Sequence, residues 1–430
     1  MPKFVATTVG ITTTWVGITT TYVRDAGIWR RTIATYVRDS GIWRRVLTSP
    51  TYFYASTSTS RTVNGSQSVQ TFTIPAGVTQ ITAEVWGGGG AAGSSTVHKA
   101  GNGGGGGYVK ATIPVGVGGV VPSGATLQIR VGGGGGFPTT DTETQRIQSL
   151  LGTTTPQFIT GGVGGSGGGY SGIFYNDGIN VIPIIIAGGG GGGGGVNGYP
   201  QVASITDIYF GGDGGAGGVT GQNGGNAASG TAWNYGRGGG GGTTVAAGIG
   251  GTTGVTGPTI SGSAGSSQNG GLGANSYYAT DPLLDPLRGS NATGGSNGGG
   301  AGGAGRSASS TANARDCGGG GGAGLFGGGG GGPGGGAGGG GGGGGSNYVI
   351  SGLLTVTNSS GSARTPGNTT SPYYIQSQLF NSPFIAYRQG GIGYGGLSVD
   401  PPGPTNIDIS TVPMTTGPRG ENGLIVIYWT

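Results

Sequence analysis

Few residues in this chain could do acid–base, nucleophilic or metal chemistry. It holds one histidine, His98 in STVHKAGN, and one cysteine, Cys317 in RDCGGG. A Ser-His-Asp triad or a His-based metal centre has almost nothing to work with. One Cys and one His cannot supply the four ligands of a structural zinc site. His98 reads as an exposed loop residue and Cys317 as a small buried one. The nearest paired carboxylates are Asp281 and Asp285 in ATDPLLDPLRG, followed by Asp207 and Asp213. Such a pair can cleave a glycosidic bond, but Asp-Pro is also a common turn element. The spacing G-x-G-x-x-G recurs because glycine runs satisfy it trivially. No match opens a helix after a strand with an acidic partner, and no G-K-[ST] exists. Neither enzyme activity, nor a cofactor, nor a metal is expected.

The remaining chemistry is recognition by aromatic and polar groups. Segments between the glycine runs carry Trp233, Tyr235, Tyr277, Tyr278, Tyr373, Tyr374, Phe380 and Tyr387. A ring can stack on the apolar face of a sugar while a hydroxyl hydrogen-bonds. These eight are the candidate receptor-contacting residues, against the plainer reading that they shield glycine backbone from water.

Composition limits the elements that could position them. Glycine accounts for 115 of 430 residues, only 8% are charged and 33% are hydrophobic. Disorder couples low hydrophobicity to high charge, and collagen needs glycine at every third position with abundant proline. The chain fits neither. Its N-terminus lacks a basic region followed by an apolar core, and the longest apolar stretch, VIPIIIA, is too short to span a bilayer. The expectation is a chain kept in the cytoplasm or released by a route other than secretion.

Residues 1–50 contain Lys3 and six arginines against Asp25 and Asp39, which is the whole net charge of +5. The neutral body argues against nucleic acid as a partner. The same residues repeat: TYVRDAGIWRR recurs as TYVRDSGIWRR fourteen residues later, and Trp15, Tyr22, Trp29, Tyr36 and Trp43 fall every seven residues. Short strands around Asp-x-Gly turns predict two small hairpins. Four such strands form a marginal sheet alone. They read either as a β-meander with a solvated arginine face or as a docking module. In the second case Arg30, Arg31, Arg44 and Arg45 join the five aromatics in the contact.

Residues 51–69 read as a Ser/Thr-rich connector. Strands are then predicted over 70–77, 79–87, 107–115, 125–132, 181–188 and 423–429, several ending directly in a glycine run. The last should pair back to strands before residue 190, tying both ends of a glycine-rich insertion. Polyglycine can form a polyproline-II helix, with three residues per turn and no internal hydrogen bonds. Without side chains such helices approach closely enough to bond to one another. The stretch 326–346, FGGGGGGPGGGAGGGGGGGGS, is expected to be one such rod, about 60 Å long if fully extended.

TFTIPAGVTQITAEVWGGGG, GGGGGYVKATIPV, LQIRVGGGGG, IIIAGGGGGGGG and GENGLIVIYW, in that order, resemble the glycine-rich domain of bacteriophage tail fibres and adhesins. The likeness covers about residues 68–430; the YVRD-x-GIWRR repeats resemble short repeats of phage tail proteins. It implies an all-β chain in which an attachment module (1–50) and a linker (51–69) precede a host-binding domain (70–430). That domain would be a β-sandwich frame holding bundled polyglycine helices. It also implies residence in the virion tail after assembly in the host cytoplasm. Other tail proteins would dock on residues 1–50, and a bacterial surface glycan or outer-membrane protein on the loops, with a homotrimer as one possible assembly. Two alternatives stay open: a structural head decoration or fibre adaptor, and a glycan depolymerase.

Overall fold

The computed structural model describes residues 50–55, 69–93, 99–136, 164–196, 210–227, 235–253, 261–274, 298–299, 317–334, 338–374, 391–398 and 420–429. It also describes the backbone of four strands before them, β1 (Tyr22–Asp25), β2 (Ile28–Arg31), β3 (Ala34–Asp39) and β4 (Ile42–Thr48). β1 pairs antiparallel with β2 and β3 with β4, and Asp25 and Asp39 stand opposite Ile28 and Ile42.

The described chain is all-β. Ten further strands follow: β5 (Thr51–Tyr54), β6 (Gln70–Thr73), β7 (Gln80–Trp86), β8 (Tyr108–Pro114), β9 (Thr126–Arg130), β10 (Ser171–Asn176), β11 (Val181–Ala187), β12 (Tyr348–Val349), β13 (Leu354–Ser359) and β14 (Leu424–Tyr428). They form two five-stranded antiparallel sheets, ordered β12-β11-β10-β9-β6 and β13-β8-β7-β14-β5. Alternation of apolar and polar residues sets which face is buried. Ile81, Ala83 and Val85 of β7 share one buried cluster with Leu127 and Ile129 of β9, Ile173 of β10, Ile185 of β11 and Ile425 and Ile427 of β14. Residues of both sheets thus enclose a single apolar core.

The C-terminal strand pairs back as the sequence suggests, lying between β7 and β5. The linker reading needs correction at its start. Thr51–Tyr54 is the edge strand of the second sheet, with Phe53 buried in the shared core. Its alternating TYFY belongs to the fold, whereas the serines and threonines after it prompted the linker assignment.

Every glycine excursion leaves and rejoins the sheets at the same end. β7, β9 and β11 run directly into 87–93, 132–136 and 188–195, and 101–107, 164–170 and 338–347 run back into β8, β10 and β12. The excursions are built on one rule, a hydrogen-bond pattern that repeats every three residues. In 188–195, Gly189, Gly192 and Gly195 donate to Ala323, Gly320 and Cys317. Gly190 and Gly193 donate to Gly88 and Ala91, and Gly191 and Gly194 to Gly215 and Gly212. The carbonyls of this segment accept, again in steps of three, from 101–107, 339–345 and 165–168. Segment 188–195 therefore touches six neighbours. Segment 339–346 does the same, donating to 189–195, 326–332 and 222–225 and accepting from 212–218, 319–325 and 239–242. So does 326–332, between 263–266, 319–322, 237–240, 248–251, 271–274 and 340–346. All these neighbours come from this one chain.

The approach is too close for a side chain. A Cβ built on Gly192 would overlap the carbonyl of Gly165, and one on Gly331 the carbonyl of Gly340. Towards the rim, side-chain oxygens stand in for a missing neighbour. Asn223 and Asn226, three apart, accept from the backbone N–H of Gly241 and Gly238 at 2.8 and 3.0 Å. Asn422 accepts from Gly134 and Ser263 from Leu272 in the same way.

The single-rod reading of 326–346 is overturned. The stretch folds back, and 326–332 lies antiparallel to 340–346 through Gly340 to Gly332, Gly343 to Gly329 and Ser346 to Phe326. Pro333 has no N–H to donate, so the three-residue pattern of donors ends at Gly332, and Gly338 resumes the chain with φ of +98°.

Candidate functional site

Chain direction sorts the connections. Segments 87–93, 132–136, 188–195, 221–227, 248–253, 270–274, 326–332 and 393–396 run away from the sheets, and their partners run back. The returning connections near the sheets are short turns, 219–220, 243–247, 266–269 and 325. Whereas 56–68 and 375–390 start and finish beside the sheets, the long connections 137–163, 197–209, 275–316 and 399–419 start and finish at the opposite end, as do the shorter 94–98, 228–234, 254–260 and 335–337. The chain enters the sheets at Thr51 and leaves at Tyr428 on the end farthest from those connections.

Five of the eight proposed receptor contacts, Trp233, Tyr277, Tyr278, Phe380 and Tyr387, and Trp15 of the attachment set lie outside the described residues, as do His98, Asp207, Asp281 and Asp285. Tyr235 is half-buried at the loop-bearing end, where Gly236 bonds to Gly338, and Arg237 beside it is exposed. Tyr22, Trp29, Arg30, Arg31, Tyr36, Trp43, Arg44 and Arg45 fall on β1–β4. Tyr373 and Tyr374 sit on the outer face of the second sheet, away from the loop-bearing end. Tyr374 is 2% exposed, its ring 5.8 Å from Trp86 and its hydroxyl donating to the Ile392 carbonyl. Its assignment to the receptor-contacting set is corrected: it is a packing residue of the protein itself. Cys317 is buried in the glycine layer.

The densest polar cluster among the described residues surrounds Glu84, which the sequence reading did not single out. In QITAEVW, Glu84 points away from the shared core, in phase with Thr82 and Trp86, yet it is 1% exposed. Trp86, Tyr108, Tyr374, Ile392, Leu424 and Val426 bury that half of the face. The Glu84 carboxylate accepts from the hydroxyls of Ser371 (2.6 Å), Tyr108 (3.0 Å) and Tyr428 (3.1 Å), and Lys110 Nζ stands 3.2 Å away. With both oxygens saturated, this carboxylate links β7, β8, β14 and the covering segment, and offers no open lone pair for proton abstraction. Burial first, and then the Glu84 charge, push the Tyr108 and Tyr428 hydroxyls far above the usual tyrosine range. The facing pair Glu84–Lys110, with Tyr108 two residues from Lys110, was the signal in the sequence.

Two expectations follow. Glu84→Leu strands three hydroxyls and the Lys110 ammonium, and should cost about 3 kcal/mol, read as a lowered denaturant midpoint. Because the phenolates are disfavoured in the fold, stability should be level below about pH 10, the unfolded value, and fall as pH rises beyond it. Tyr428→Phe should shallow that fall in a pH series of thermal midpoints.

Asp213, half of a sequence-level carboxylate pair, is exposed and accepts from the backbone N–H and side-chain amide of Asn102 at 2.7 and 3.1 Å. It ties two glycine segments together. Among the described residues no cluster of His, Cys, Asp and Glu could hold a metal ion, and no helix is long and apolar enough to cross a membrane. No protein-family model matches the chain, and no curated protein matches it.

Proposed function

We propose that the chain is a bacteriophage tail fibre or tail-tip adhesin: a virion protein held by its N-terminal repeats that touches the host through loops on a polyglycine bundle. The observation that carries this reading is the molecule's polarity. The basic aromatic repeats join the sheets at one end, and four of the six long connections start and finish at the other. A protein anchored in a particle and reaching towards a surface needs that separation. The resemblance of the strand-and-glycine motifs to phage adhesins supports the same reading.

The glycine segments are, on this reading, polyproline-II helices. The support is their three-residue hydrogen-bond period, with successive donors aimed at three different neighbours, as a helix of three residues per turn requires. A bundle of this kind is rigid without a side-chain core and leaves its end loops free to vary.

The test is direct. Purified full-length protein should bind host cells and compete with phage adsorption. It should fail on resistant cells lacking a surface glycan or outer-membrane protein. Absence of binding to any envelope component would sink the adhesin reading, and location of the chain in the head would make it a decoration protein. The complete chain must be used, because a fragment starting at residue 68 lacks edge strand β5.

A further inference from the structure

Among the described residues, the outer face of the second sheet is covered over only half its length. Near the glycine layer, Tyr374 and Ile392 close over Trp86, Tyr108 and Leu424. Farther out, Thr82, Lys110, Thr112 and Tyr428 are only half-buried. The hydroxyls of Thr82 and Thr112 lie 3.1 Å apart on this floor. Along one side runs a row of half-buried rings. The rings of Tyr54 and Tyr52 are stacked nearly parallel (8°) with centroids 6.3 Å apart. Tyr52 meets Tyr373 edge-on at 6.5 Å, and Tyr373 meets Tyr428 at 4.8 Å. The Lys110 ammonium ends the row, 6.0 Å from the Tyr428 ring.

We propose that this strip binds a neutral oligosaccharide. Each tyrosine offers an apolar ring that can lie against the C–H face of a sugar, and the hydroxyls of Tyr54 and Tyr373 can bond to it. The ring-to-ring contacts and the Glu84 network fix the platform in advance, which lowers the ordering cost of binding. Charge selects the ligand. Among the described residues the one cation on the strip, Lys110, stands 3.2 Å from Glu84, so the pair is neutral overall and supplies no surplus positive charge for a uronate, sialate or phosphate. The proposal rests on the adhesin reading for its biological setting, and adds a second contact on the flank, remote from the end loops.

The experiment passes the full-length protein over immobilised neutral oligomers of glucose, galactose and N-acetylglucosamine, and over uronate- and sialate-bearing oligomers. Retention on at least one neutral glycan is expected. Its Kd should weaken at least tenfold in Tyr52→Ala and Tyr373→Ala but under threefold in Tyr52→Phe, at matched unfolding midpoints. Thr112→Lys, which leaves the rings in place and adds bulk and charge to the floor, should also abolish retention and serves if an alanine variant fails to fold. No retention on neutral glycans, retention on acidic ones alone, or binding indifferent to all these substitutions overturns the proposal. Wild-type protein that binds host cells but no neutral glycan would end this proposal and leave the adhesin reading standing. Glycan binding without host-cell binding would do the reverse.

Discussion

Gly342→Ala is expected to destabilise the protein by more than about 3 kcal/mol, at or beyond the upper end of ordinary overpacking. Gly342 donates to Gly192, accepts from Gly215, and belongs to a segment enclosed by six others. A Cβ there would drive into the carbonyl of Gly320, which is backbone and itself bonded to Gly192. Relief would require displacing a segment that holds its own neighbours in place. An opposing effect exists: alanine reduces the entropy of the unfolded chain, worth about 0.4–1 kcal/mol in favour of folding. The clash decides the sign. Gly225→Ala is the matched control, because at this rim position the nearest atom to a built Cβ is 3.1 Å away, so the fold need give only slightly. Thermal unfolding of the pair should show a midpoint lowered by roughly 5 °C or more for the interior variant, and a change near zero for the rim variant. Equal effects would mean that the glycines are not packed as a lattice.

The same contrast explains what could be read from the sequence. Strands such as QITAEVW and VIPIIIA announce themselves by β-branched residues in alternation, and the closing GLIVIYW was legible as their partner. Pure glycine runs marked the interior segments, because only a residue enclosed on all sides must lack a Cβ. Rim segments escaped notice, since each carries a side chain wherever it points outward. Phe210, Asp213 and Val219, all exposed, fall at multiples of three with the buried Ala216 between them, as do Ala246, Ile249 and Thr252. That short X-G-G rhythm is the sequence image of a three-residue repeat with one open side. The strands β10, β12 and β13 were hidden by glycines and serines around SGIFYN and by the length of the insertion. Glu84 was passed over because a lone glutamate in a strand normally faces water. Its burial depends on Ser371 and Tyr428, more than 280 residues away in sequence.

Changing residues at the loop-bearing end is expected to weaken host binding while leaving stability intact, and changing the N-terminal repeats should remove the protein from particles while leaving host binding intact. Trp233 is two residues from Tyr235, and Tyr277 and Tyr278 follow Ala274 by three and four, so chain connectivity ties all three to the end where the long connections turn. Alanine at these three positions should weaken binding of purified protein to host cells at least tenfold, about 1.4 kcal/mol, as expected when aromatic anchors are truncated. Phe380 and Tyr387 belong to a connection that leaves from Tyr374 and returns at Gly391, beside the sheet. Their substitution should change cell binding less than twofold. Arginine-to-alanine changes at positions 30, 31, 44 and 45 should leave cell binding by isolated protein unchanged but remove the protein from assembled particles. The two readouts, cell binding and particle incorporation, therefore divide the molecule by its ends. If the Trp233, Tyr277 and Tyr278 variant binds cells normally, or if the arginine variant loses cell binding, the assignment of one end to the host and the other to the virion is wrong.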